Sequence, residues 1–143
     1  MARDLMNVYN KVYRDCAMGT TQTEVYEMVV AHPAPRFYID PRMAHLRISP
    51  MMRGDRRGIE KLSPLKRKMY EDLFETVLKV AQKKGFWGKS LYCLIRQAVM
   101  EPAPRFYISA KRMEQIWKAK TIESRKSKYK RIKTYEKTDK TDD

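Results

Sequence analysis

Apolar residues recur three and four positions apart in two separate stretches of the chain. Leu5, Val8, Tyr9, Val12, Tyr13 and Cys16 mark one face of a helix over residues 4–17. Tyr70, Leu73, Phe74, Val77, Leu78 and Ala81 repeat that rhythm over residues 64–84, behind a Ser63-Pro64 start signal. Shorter apolar runs follow each. Residues 23–31 open on Thr21-x-x-Glu24, the spacing of a capping box, and residues 90–100 open on Ser90. Both stop before a proline, because the residue preceding Pro avoids helical geometry.

The prolines belong to one heptapeptide, PAPRFYI, which stands at residues 33–39 and again at 102–108. Sliding the chain by 69 positions superposes the two copies and much of what precedes them. Gly19 meets Gly88, Val30 meets Val99, and the apolar class persists at Leu5/Phe74, Tyr9/Leu78, Val12/Ala81 and Val25/Leu94. This is the signature of a duplicated structural unit. Pro-Ala-Pro predicts an extended joint, and Asp40 and Ser109 then cap a third helix over residues 41–48 and 110–120. Ala44/Met113 and Ile48/Trp117 occupy equivalent inward positions on it.

The expected fold is mainly α: two tandem three-helix modules, helix-turn-helix-like, each with a short extended PAPRFYI segment before its last helix. Module 1 spans residues 1–48 and module 2 residues 64–120. A Gly/Pro-punctuated basic linker, 49–63, joins them, and a basic flexible tail, 121–143, follows. The joints leave a further option open, in which they pair as a small antiparallel ribbon relating the halves by a pseudo-twofold axis.

Charge changes the picture more than composition does. The net charge of the chain is +14, of which residues 47–68 carry +6 and residues 118–133 carry +7. Clustered cations of this kind are a footprint for a polyanion, since Lys and Arg displace its condensed counterions. Candidate contacts are Arg53, Arg56, Arg57, Lys66, Arg67 and Lys68 around the linker, and Arg125, Lys126, Lys128, Lys130, Arg131 and Lys133 in the tail. The alternative is a solvated linker and tail.

Within each joint, Phe37/Phe106 and Ile39/Ile108 are expected to enter the core. Arg36/Arg105 and Tyr38/Tyr107 share the other side. Such an Arg-Tyr pair can contact phosphate and stack on a base. It can equally be architectural, the Arg bonding the carbonyls that end the second helix. The octapeptide PAPRFYIS, residues 102–109, resembles a motif of short uncharacterised bacterial and phage proteins, where a Pro-Arg-Phe-Tyr segment lies between two helices before an acidic or Ser cap. The first copy departs from it at Asp40-Pro41, with the same capping chemistry. The resemblance implies a bacterial or phage origin and carries no activity.

Catalysis finds little support. The two histidines, His32 and His45, have no equivalents in the second copy, where Glu101 replaces His32. No nucleophile motif, phosphate-cradling glycine loop or metal-spaced Cys/His set occurs, so no catalytic residue, metal or cofactor is assigned. Cys16 and Cys93 sit at non-equivalent places and read as core thiols. Arg-Gly-Asp at 53–55 reads as a chance string in a basic linker. No run approaches the length of a membrane span, and no signal peptide opens the chain, so a cytoplasmic protein is expected, or one packaged in a virion. The expected function is non-enzymatic nucleic-acid binding, DNA ahead of RNA, with third helices serving as groove readers at two adjacent half-sites. The alternative is a phage or bacterial assembly protein that docks onto other proteins.

Overall fold

The computed structural model describes the backbone of residues 1–141 and the side chains of residues 1–130. Helices α1 (Ala2–Asp15), α2 (Gln22–Ala31) and α3 (Pro41–Met52) form the first repeat; α5 (Pro64–Ala81), α6 (Leu91–Ala98) and α7 (Ala110–Thr141) form the second. A single helical turn, α4 (Arg57–Glu60), lies between them. The caps act where the sequence places them. Thr21 and Glu24 bond reciprocally at the start of α2, Asp40 accepts from the Arg42 amide at 2.8 Å, and Ser90 and Ser109 accept from Cys93 and Arg112.

The two repeats interlock. The third helix α3 packs on α5 and α6 of the second repeat, while α7 packs on α1 and α2 of the first. The joints make this possible by crossing. Ala34 and Ala103 exchange both backbone hydrogen bonds, each 2.9 Å, as one isolated antiparallel bridge. The Phe37 amide then donates to the Val99 carbonyl at the end of α6, and the Phe106 amide to the Val30 carbonyl at the end of α2. These reciprocal contacts describe an approximate twofold axis through the bridge. The Val30 and Val99 carbonyls are thus satisfied by the other joint's backbone, and those of Val29, Gln97 and Ala98 by the amides of His32, Met100 and Glu101, where the sequence reading offers Arg36 and Arg105.

One core results. Leu5, Val25, Val29, Phe37, Ala44, Ile48, Leu73, Val77, Val80, Ile95, Val99, Phe106 and Met113 are buried together. Each buried aliphatic or aromatic side chain stabilises by about 1.5–3 kcal/mol relative to exposure. At the crossing the aromatic rings interleave. Tyr38 stacks on Phe106 at 5.9 Å and 7°, and Tyr107 stacks on Phe37 at 6.0 Å and 13°.

Three expectations shift. The 69-residue offset fails for the first helices: buried Leu5 matches buried Leu73 and Tyr9 matches Val77, and Asp4 matches Asp72 in bonding the joint tyrosines, whereas Phe74 is half-buried and Leu78 is exposed. Gly19 lies ten positions after Tyr9 and Gly88 eleven after Val77, and a rigid slide cannot register that extra residue. Residues 49–63 are anchored, since α3 continues through Met52 and both Met51 and Ile59 are buried. Beyond residue 120 the chain continues α7 as helix to Thr141. No Gly or Pro interrupts it, and Lys118–Glu114 (2.8 Å) and Lys120–Glu123 (3.6 Å) support the middle turns.

Candidate nucleic-acid interface

The two joints hold their polar side chains in place. Tyr107 donates to the Asp72 carboxylate at 2.5 Å, and Tyr38 donates to Asp4 in the equivalent place. Burial first, and these bonds second, push both phenols above the ordinary tyrosine range. With hydroxyls engaged and one ring face against Phe, both tyrosines are half-buried members of the crossing. Arg36 lies over its own Tyr38 ring, 5.7 Å from the centroid, with Nε towards the Phe37 carbonyl at 3.4 Å. Arg105 is half-buried, and its Nε has no hydrogen-bond partner among the described residues.

Around the linker, several cations are already paired. Arg56 meets Glu71 at 2.7 Å, Lys68 meets Asp72 at 3.3 Å, and Arg57 grips Asp55 at 3.0 and 3.1 Å. The Arg57 hydrogen bonds hold the Asp55 carboxyl down at about 2. That grip also occupies the acid of the Arg-Gly-Asp string. Arg47 bonds the Gly58 carbonyl at 2.7 Å and pins the linker to α3. Arg53 and Lys66 are exposed with no ion pair among the described residues, and Arg67 is half-buried. Asp72 brings Lys68 and Tyr107 together, with Arg105 close enough to act on the same phenol. Arg36 and Tyr38 sit apart from them, beside Met1, Asp4 and Asp40.

The tail differs in kind. Met113 and Ile116 are buried and Trp117 packs on Tyr9 and Tyr26, so α7 is anchored by its first two turns. From Ile122 to Lys130 every residue is exposed. Arg125, Lys126, Lys128 and Lys130 stand on this projecting stretch, with Glu123 as its acid. The side chains of Arg131 and Lys133 lie outside the described residues. At 1.5 Å per residue, the helix from Ile122 to Thr141 reaches roughly 30 Å past the core.

A second basic surface was not marked by the charge count. Residues 83–89 read Lys-Lys-Gly-Phe-Trp-Gly-Lys, and Trp87 at their tip is 68% exposed. The signal is present in the sequence as three lysines around a Phe-Trp pair, a cluster too short to stand out in the net charge of a long segment.

Among the described residues, no group of three or more His, Cys, Asp or Glu side chains is placed to hold a metal ion. Cys16 and Cys93 are free and half-buried, and His32 turns Nδ1 to the Pro33 carbonyl at 2.8 Å. No described helix is long and apolar enough to cross a membrane. No family model, curated protein or solved structure matches the chain.

Proposed function

We propose that the protein is a non-enzymatic nucleic-acid-binding protein whose principal contact is the projecting part of α7, supported by Arg53 and by Lys66 on α5, which have no ion pair among the described residues. One observation carries this reading: a helix leaves the core with Arg125, Lys126, Lys128 and Lys130 all exposed. A packed domain gains nothing from such a stretch, while a polyanion gains counterion release at each contact. The exposed faces of the third helices favour α7 over α3. Lys111, Arg112 and Lys118 are exposed on α7, whereas α3 exposes one cation, Arg42, beside Met43 and Leu46 at 54% and 66%. The second reading, docking onto another protein of an assembly, draws its support from that apolar pair.

A binding comparison between the full chain and a chain ending at Ile122 tests the proposal. Among the described residues the truncation removes no buried side chain, so the fold should persist. Affinity for a nucleic acid of about 20 nucleotides should fall at least tenfold at about 100 mM salt. Equal affinity of the two chains would sink the assignment to α7.

A further inference from the structure

We infer that Trp87 is a stacking platform for one unpaired nucleobase, with Lys84 and Lys89 set for the flanking phosphates. This rests on the nucleic-acid reading above and adds to it a substrate class, single-stranded nucleic acid.

The ring is exposed yet held. A tryptophan is seldom left 68% open to solvent, because its apolar area is the largest of any side chain. Here the indole N–H donates to the Gln82 carbonyl at 3.2 Å, so the polar edge is satisfied internally and the ring is fixed in orientation. Its neighbour Phe86 packs inward against the core and anchors the loop. A short 3-10 turn, Lys84–Phe86, and the Lys89 amide bond to the Phe86 carbonyl at 3.2 Å shape the rest. Gly88, at φ +75°, supplies the left-handed step that reverses the chain into α6. A fixed ring loses little freedom when a base settles on it.

The charge around the ring suits a phosphodiester chain. Lys83 is paired with Glu101 at 3.0 Å, but Lys84 and Lys89 are exposed and have no ion pair among the described residues. No acid lies between Gln82 and Ser90. Cations flanking one aromatic face are the recurring means of holding a single strand without sequence preference. A duplex keeps its bases stacked on each other and offers the ring nothing comparable. A membrane surface fits less well, since interfacial binding uses a broad apolar face and Trp87 stands alone at this tip.

The first repeat supplies an internal control. Its loop has fully exposed Met18 at the position of Trp87, before Gly19 at φ +90°, and no lysine from Cys16 to Thr20. The turn at the glycine is shared, with the Thr20 amide donating to the Ala17 carbonyl at 3.2 Å as Lys89 does to Phe86, while the 3-10 turn, the indole and the lysines are missing.

The test titrates the full chain with an oligothymidylate of about 20 nucleotides and with a duplex of equal length, following tryptophan emission and affinity. Single strand should quench the emission. Trp87→Ala should weaken single-strand binding about tenfold and duplex binding less than about twofold. Trp87→Phe should stay within about threefold of the parent, and Met18→Ala should match it. Single-strand affinity of Trp87→Ala within about twofold of the parent, or an equal loss on both substrates, overturns the inference and leaves the α7 reading standing. Emission that shifts to the blue on anionic phospholipid vesicles but ignores the oligonucleotide also overturns it, in favour of a membrane contact. If the parent binds neither nucleic acid, the proposed function falls and takes this platform with it.

Discussion

The two repeats are alike where they cross and unlike where they face solvent. In both joints the Phe is buried, the Tyr ring stacks on the opposing Phe, and the Tyr hydroxyl meets an Asp on the first helix of its own repeat. Outside the crossing the pairs diverge: Met18 against Trp87, Asp40 against Ser109 as helix cap, and an apolar outer face on α3 against a basic one on α7. The letter-for-letter heptapeptide therefore marks architecture. The parts that differ between repeats gather basic and aromatic groups on the second, and it is there that the proposed function is placed.

Breaking the shared part should have the largest effect, and in either copy. Phe37→Ala and Phe106→Ala each remove a buried ring and the stack it makes with the opposing tyrosine, and should cost about 3–5 kcal/mol in chemical denaturation. Because each joint serves the other repeat, both variants should lose one cooperative transition and not melt half of the molecule. Two separate transitions would contradict the interlocked core.

Smaller effects sharpen the symmetry. Tyr107→Phe and Tyr38→Phe each leave a carboxylate without its donor, and should cost about 1–2 kcal/mol with near-equal values. A related effect appears with pH. Both phenols stay protonated in the folded chain above the ordinary tyrosine value, owing to burial and then to the Asp bonds. Their contribution is complete below about pH 10 and is lost above it, as the unfolded chain ionises its tyrosines and the folded one resists. Thermal melts from pH 9 to 11.5 should show a falling midpoint, and the double Tyr→Phe variant should show a shallower fall. The smallest effect is expected at Asp55. Asp55→Asn frees an exposed Arg57 and should leave stability unchanged within error while slightly strengthening nucleic-acid binding.

Much of the fold was legible because it rests on local signals. Thr21-x-x-Glu24, Ser90, Asp40-Pro41 and the prolines at 33 and 102 delimit helices through contacts a few residues apart. The exchange of third helices was not legible, since an amphipathic helix buries equally well against its own repeat or the other. Only the ribbon option, now seen as the Ala34–Ala103 bridge, pointed towards it. The offset of the first helices escaped for a different reason: Val8 and Val77 coincide at 69, while the buried pair is Tyr9 and Val77. In the candidate site, net charge by segment marks the α7 cations and the linker cations alike and says nothing of their pairing. Arg56, Arg57 and Lys68 spend their charge on Glu71, Asp55 and Asp72, partners that a count along the chain does not connect.

The central claim, that the second repeat presents a polyanion-binding surface, is tested most directly by the salt dependence of binding. Anisotropy of a labelled single strand, measured with the full chain from about 50 to 300 mM salt, gives the slope of log affinity against log salt. About six phosphate contacts at about 0.7 each predict a slope near −4, falling towards −1 for the chain ending at Ile122. A slope near zero for the full chain, or the same slope for both chains, would contradict the account.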